Sequence, residues 1–335
     1  IQHHGASRED CNNCDRRNHN DTCRRQHNNS NSNSNGVTQV RFMSMNIQNF
    51  FKSWRLRARM IRNIVQSQGE PPVDIIGFQE VRLDESRLHD KHQMDLLRAE
   101  LRELGFHYYV YRPAMSYVNG MSAYDSTLRH EEGLAIFSRY EILWTDTLLL
   151  ARDLSDHLSH QRIALRARIR LHRELDIDFI TTHSSLSETE RDINVMDVEQ
   201  HLKIHRGGVT SHASTEKLST TGDVPQVIVG DFNAEPFERS VRLMLSEKMQ
   251  WKDSYLEAME RGDRVFNKTF SVDAVYDKRI DYIMHRGSPT VRTKSVFYHV
   301  THEQLELSYV TLNMSDHFFI LSDIQFAYRD TQSDK

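Results

Sequence analysis

The sequence predicts a chain that mixes strands and helices throughout, α/β or α+β in class, with large sheets at its centre. Three observations predict this. After Gly36 the hydrophobic pattern switches repeatedly between a period of about two and one of about 3.6 residues, so strands and helices intermingle rather than segregate. No internal repeat is visible. The 335 residues are 38% hydrophobic and 27% charged with a formal net charge of -4, enough for the core of one large domain or two smaller ones. No apolar run approaches the ~18 residues of a membrane span.

Taken in order, "VRFMSMNI" reads as a strand ending at Asn46, and 54–69 as an amphipathic helix closed by Gly69. The run "VDIIGFQE" is a buried strand ending at Glu80, 93–105 a helix stopped by Gly105, and 107–112 a strand. A loop is expected over 113–130, then strands at 133–138, 163–171 and 177–183. A helix over 191–205, a flexible loop over 210–223, a strand over 224–231 and a short helix over 238–247 follow. Strands at 279–285 and 318–326 complete the pattern.

The first 36 residues differ. Rich in Asn, Ser, His and Arg and nearly empty of apolar side chains, they cannot build a core, and a disordered tail is expected over 1–36 with the folded domain over 37–335. Cys11, Cys14 and Cys23 all lie there, so the domain folds without disulfides. With His19 they read C-x2-C-x4-H-x3-C, one residue short of a zinc knuckle and without its aromatic and glycine positions. Zn2+ is therefore not expected in the tail.

Chemistry concentrates at strand ends. Asn46, Glu80, His183, Asp231 and Asn233 each end an apolar run, Asp281 lies within "RIDYI", and Asp316 with His317 opens the last strand. Burying such groups is costly without partners. Any one alone is an ordinary turn or cap residue; together, at ends that can converge, they point to a site.

The ordered series "SMNI", "GFQEV", "TTHSSLS", "GDFNAEP", "RIDYI" and "SDH" resembles the endonuclease/exonuclease/phosphatase superfamily, the fold of pancreatic deoxyribonuclease, abasic-site endonucleases, neutral sphingomyelinases and inositol-polyphosphate phosphatases. The resemblance runs from about Val37 to Tyr328. It implies an α+β four-layer sandwich of two central mixed β-sheets flanked by helices, and a divalent-metal site, Mg2+ or Mn2+, where strand ends meet. By the same resemblance Glu80 is the principal metal ligand, Asn46 helps hold metal or phosphate, and Asp316 is a carboxylate near the metal. Asp231 orients or deprotonates water, Asn233 binds a phosphate oxygen, and His317 contacts the scissile phosphate with Asp281 fixing its tautomer. His183 is the candidate acid for the leaving oxygen, with Glu131 or Glu132 to orient it.

The expected reaction is phosphodiester hydrolysis, and the leading expectation is an endonuclease. Arg82 in "QEVR" and Arg162 in "QRIALRARI" stand where the deoxyribonuclease pattern has arginines that contact DNA or phosphate. The mild acidity is no advertisement for nucleic acid, which asks for local positive charge. A phospholipid phosphodiesterase is the alternative: "KRIDYI" reads like the sphingomyelinase block, and Met115, Tyr117, Met121 and Tyr124 offer an apolar loop for a bilayer. An inositol phosphatase is disfavoured because "DKRIDYI" stands where "WCDRI" is expected, and a non-catalytic scaffold because every matched position carries a competent residue. A monomer is expected. Localisation stays open, the start at Ile1 pointing to processing or an artificial boundary.

Overall fold

A computed structural model describes residues 35–48, 54–84, 93–118, 129–156, 159–204, 224–270, 278–301, 304–307 and 310–329. The cysteines and His19 of the tail, the loop over 210–223, Met121 and Tyr124 lie outside the described residues. The compact unit Ser34–Lys335 carries everything that follows.

The chain order is β1 (Asn35–Asn46), α1 (Trp54–Ser67), β2 (Ile75–Asp84), α2 (Gln93–Arg102), β3 (Tyr108–Val118), β4 (Arg129–Ser138), β5 (Glu141–Leu149), β6 (Ile163–His172) and β7 (Leu175–His183). It continues with α3 (Glu188–Ile204), β8 (Gln226–Asp231), α4 (Arg239–Met244), β9 (Lys252–Asp253), α5 (Ser254–Glu260), β10 (Asp281–Arg286), β11 (Val291–Thr301), β12 (Gln304–Leu307), β13 (Val310–Asn313) and β14 (Phe319–Arg329).

These strands build two six-stranded sheets, ordered β11-β14-β1-β2-β4-β3 and β5-β6-β7-β8-β10-β9, with β12 and β13 as a separate hairpin. Each sheet is mixed: β1 runs parallel to β2, and β7 parallel to β8, while the other pairings are antiparallel. Those two parallel pairs lie at the middle of their sheets. Strands buried on both faces read as continuous apolar runs, and β1 shows why. Val40 and Phe42 point to the seam between the sheets, Met43 and Met45 to the layer beyond.

Three buried clusters define four layers. Between the sheets, Phe42, Ile75 and Ile320 meet Leu165, Phe179 and Val229, with Phe42 and Phe179 stacked at 5.7 Å. Outside the first sheet, Ile61, Ile64 and Leu97 of α1 and α2 cover Ile76, Phe78 and Phe137. Outside the second, Val195, Leu202 and Val241 of α3 and α4 cover Ile180, Ile228 and Met284. Each such side chain contributes roughly 1.5–3 kcal/mol by its burial. The sandwich expected from the resemblance is the fold observed.

Three departures are informative. The loop expected over 113–130 is strand for its first part, because β3 runs on through Pro113 to Val118. As the edge strand it has no further neighbour to lose a hydrogen bond to proline. Two edge strands, β5 and β11, were not predicted, although β11 alternates buried and exposed residues along most of its length. Helix α5, also unpredicted, is capped by Asp253, whose side chain accepts from Tyr255 N.

Candidate active site

The site sits where the carboxyl ends of the two parallel pairs face each other, the usual place for chemistry in such sheets. Pairing in the second sheet sets three of its residues in a row. His183 lies beside Asp231 in the β7–β8 register, and Asp231 beside Asp281 in the β8–β10 register. Close approach of β7 and β8 needs Gly230: its φ is +149°, and a Cβ there would meet Thr182 O at 2.0 Å.

The first sheet supplies Asn46 and Glu80. The β2–β4 register shifts between Phe78 and Val81, a bulge of the kind that re-aims side chains at sites. Glu80 stands in that bulge with φ +57°, a left-handed conformation costly for a residue with a side chain. Asn46 joins the sheets: its Nδ2 donates to Glu80 Oε1 at 3.1 Å and to Asp231 Oδ2 at 3.0 Å. Its Oδ1 accepts from Gln48 N at 3.0 Å. One lone pair of the amide oxygen is thus taken by the backbone, and the Nδ2 donations tie the carboxylates of Glu80 and Asp231 together.

Asp231 is the hub, 2% exposed. Its Oδ2 lies 3.4 Å from His183 Nε2 and 3.6 Å from His317 Nε2, and its Oδ1 accepts from Asn233 N at 2.8 Å. Burial, then Asp281, pushes its carboxyl up to about 6 against the pull of His317. Asn233 takes φ +48°, which asparagine tolerates, and its Nδ2 donates to Ser184 O at 3.0 Å, tying its loop to the end of β7.

The two histidines differ. His317 Nδ1 faces Asp281 Oδ2 at 2.9 Å, and Asp281 N is held by Thr269 Oγ1 at 3.0 Å. Burial would lower His317, but Asp281 and Asp231 outweigh it and hold the imidazolium up to about 10. His183 is pushed well below its ordinary value by burial, then by Arg162, whose Nη1 lies 2.9 Å from Nδ1. Nδ1 therefore accepts, and Nε2 carries the proton toward Asp231.

Arg162, 8% exposed, also lies 3.7 Å from Glu132 Oε1. Of the two glutamates left open by the sequence, Glu132 is the buried one, and Arg162 contacts both it and His183. Burial, then Glu80, raises its carboxyl to about 7 against Arg162 and Arg82. Arg82 is half-buried beside this group, and its backbone N donates to Gln93 Oε1 at 2.7 Å.

Arg57 escaped sequence reasoning. Fully buried, it donates to Met314 O at 2.7 Å, to Gln48 O at 3.1 Å and to Ile47 O, with Trp54 packed on its guanidinium at 4.1 Å. It thereby clamps the chain after Asn46 to the chain before Asp316, where Ser315 Oγ also donates to Asn46 O at 2.8 Å. The signal was present: Arg57 shares the i, i+4, i+7 stripe of α1 with Ile61 and Ile64.

Two groups could hold a cation. Asp231, Asp281 and His317 offer atoms within 4.8 Å of one another. His317, however, spends Nδ1 on Asp281 and keeps its other proton, so this trio is better suited to moving protons. Glu80 and Asp316 fit a hard divalent ion better. Burial and the neighbouring charge of Glu80 both raise Asp316, a repulsion that a cation would relieve.

Against known proteins, the sequence model of the Endonuclease/Exonuclease/phosphatase family matches residues 43–317. No curated protein sequence matches. Among solved structures, an endonuclease/exonuclease/phosphatase family protein of Bacteroides thetaiotaomicron is 19% identical with a TM-score of 0.61, covering 87% of this chain and 96% of that one. The human Nocturnin catalytic domain with bound sulfate is 18% identical with a TM-score of 0.57, covering 87% and 97%. Truncated Caenorhabditis elegans TDP2 is 18% identical with a TM-score of 0.56, covering 86% and 97%. At these identities the likeness is one of fold.

Proposed function

Because the chain belongs to the Endonuclease/Exonuclease/phosphatase family, whose members are hydrolases of phosphoester bonds, we propose that it is a divalent-metal-dependent hydrolase of phosphodiester bonds. The observation that carries this reading is the convergence on Asp231: one buried carboxylate held by Asn46 between two histidines of opposite protonation.

The roles follow from those states. Asp231, raised to about 6, is ionised at neutral pH and basic enough to take a proton from an attacking water. The His317 imidazolium, backed by Asp281, offers Nε2–H and positive charge to a phosphate oxygen. Neutral His183 donates a hydrogen bond from Nε2–H to the leaving oxygen, its Nδ1 fixed by Arg162, and so stabilises the developing charge there without giving up the proton. Asn233 supplies a further amide donor, and Asn46 aligns the carboxylates of Glu80 and Asp231. Glu80 and Asp316 would hold Mg2+ or Mn2+, which when bound lowers the pKa of water and neutralises phosphoryl charge.

Two substrate classes fit this chemistry. The endonuclease reading draws on Arg82 and Arg162, the second of which is already engaged with His183. A phospholipid phosphodiesterase is favoured by one specific observation, the exposed apolar residues that border the loop after His183. Nicking of supercoiled plasmid with Mg2+, by the wild type beside Glu80→Ala, separates them. Relaxation by the wild type alone supports the endonuclease. A folded wild type that leaves plasmid intact but cleaves a phospholipid with Mg2+, and loses that with a chelator, supports the second reading. Inertness toward every phosphodiester defeats the proposal.

A further inference from the structure

Gln79 puts an amide where the rest of the seam is largely apolar. Along β2, Ile75 belongs to the cluster between the sheets, while Ile76 and Phe78 belong to the cluster outside. The alternation turns Gly77 and Gln79 toward the second sheet. Gln79 is 0% exposed there, as is Thr181 of β7. A leucine or methionine would fill that volume without desolvating a polar group. An amide buried at such a position needs partners, and the partners reveal what it holds.

Its Nε2 donates to Thr181 Oγ1 at 2.8 Å, across the sandwich, and to Gly77 O at 3.2 Å within its own strand. Gly77 O can only accept, which fixes the orientation of the amide. Ser44 Oγ of β1 stands 3.5 Å from Oε1. The sheets come close enough for this reach because Gly77 has no side chain. A Cβ there would meet Val229 Cγ2 at 2.5 Å and Thr181 Oγ1 at 3.0 Å. Along their strands, Ser44, Gln79 and Thr181 directly precede the site residues Asn46, Glu80 and His183 by one or two positions. One amide therefore touches all three strands just behind the groups they deliver.

Gln79 is also half of the bulge that carries Glu80. Phe78 pairs with Ala135 and Val81 with Gly133, so Gln79 and Glu80 together oppose Leu134. A bulge interrupts the ladder locally, and Glu80 holds φ +57°, a conformation that persists only where its surroundings impose it. The backbone of Gln79 is tied to the chain after β1, Ile47 N donating to Gln79 O at 3.1 Å. Its side chain is tied to β7. We propose that Gln79 is a positioning residue: its bond to Thr181 braces the bulge across the seam and sets where the Glu80 carboxylate stands relative to Asp231 and His183. What that placement does for metal binding and turnover rests on the hydrolase reading above; the brace itself does not.

Asn46 reports that placement without metal or substrate, because its Nδ2 donates to both Glu80 and Asp231. The test reads the Asn46 side-chain amide resonances of the full chain by NMR in chelator, with Glu80→Ala marking where they move when that partner is gone. Gln79→Met and Thr181→Val each replace one end of the brace by an apolar side chain of similar size, and melting curves verify the fold of each. Both should move the Asn46 resonances toward the Glu80→Ala position, whereas Thr181→Ser, which keeps the hydroxyl, should leave them in place. The double variant Gln79→Met/Thr181→Val should move them no further than either single one. In calorimetric titration, Gln79→Met should bind Mn2+ about tenfold or more weakly than the wild type. Unmoved Asn46 resonances in Gln79→Met would overturn the proposal. So would an equal shift in Thr181→Ser, additive shifts in the double variant, or undiminished Mn2+ affinity. A wild type that takes up no Mn2+ would remove the metal role of Glu80 alone, and the Asn46 resonances would still decide the brace.

Discussion

The guanidinium Nη1 of Arg162 lies 2.9 Å from Nδ1 of His183. Arginine can only donate at that distance, so the contact fixes which imidazole nitrogen is bare and keeps the ring neutral. Arg162→Met should raise the pKa of His183 from its depressed value while leaving it below the ordinary range, because burial is the larger cause. Titration of the His183 Cε1 proton by NMR reads this directly. An unchanged value would show that burial alone sets the protonation state.

In the proposed reaction Glu80, Asp231 and His317 carry distinct tasks, so each alanine variant should lose turnover by about a hundredfold or more. Initial rates on bis(p-nitrophenyl) phosphate, with circular dichroism to verify the fold, measure it. Chelation should abolish wild-type activity, and Mg2+ or Mn2+ should restore it. Near-normal turnover by any one well-folded variant removes that residue's role.

Much of this site was legible because a polar residue at the end of an apolar strand is expensive unless partnered. Asn46, His183 and Asp231 announce themselves in that way. What could not be read was partnership across the sandwich. Nothing in "QRIALRARI" says that Arg162 contacts both His183 and Glu132, since β4, β7 and the residue before β6 meet there. That β3 runs on through Pro113 could not be read, because its edge position is a property of the assembled sheet, not of the local sequence. Arg57 failed for the opposite reason: arginine on a helix suggests solvent, and only the stripe it shares with Ile61 and Ile64 argued otherwise.

Glu132 makes a prediction about stability. Burial makes its carboxyl bind a proton more tightly in the fold, at about 7, than an ordinary glutamate does at 4.5. The folded state therefore holds more protons between those values, and stability falls as pH rises from about 4.5 to about 7, then levels. The loss is on the order of 3 kcal/mol. Glu132→Gln removes the titration. In chelated protein, its melting temperature relative to wild type should climb between pH 5 and pH 8. A flat difference across that range would show that Arg162 and Arg82 already neutralise the carboxylate.

Arg57 is expected to couple stability to the site. Its guanidinium satisfies carbonyls on both chain segments that flank Asn46 and Asp316. Arg57→Met keeps most of the side chain's volume under Trp54 but strands those buried acceptors, each costing about 1–3 kcal/mol. Denaturation should show a loss of roughly 3 kcal/mol or more. The affinity for Mn2+ should weaken with it, because Asp316 is no longer held to the segment after Asn46. Calorimetric titration of Mn2+ into the folded variant reads that second effect. Unchanged affinity alongside lowered stability would make Arg57 a strut of the fold alone, with Ser315 sufficient to place Asp316.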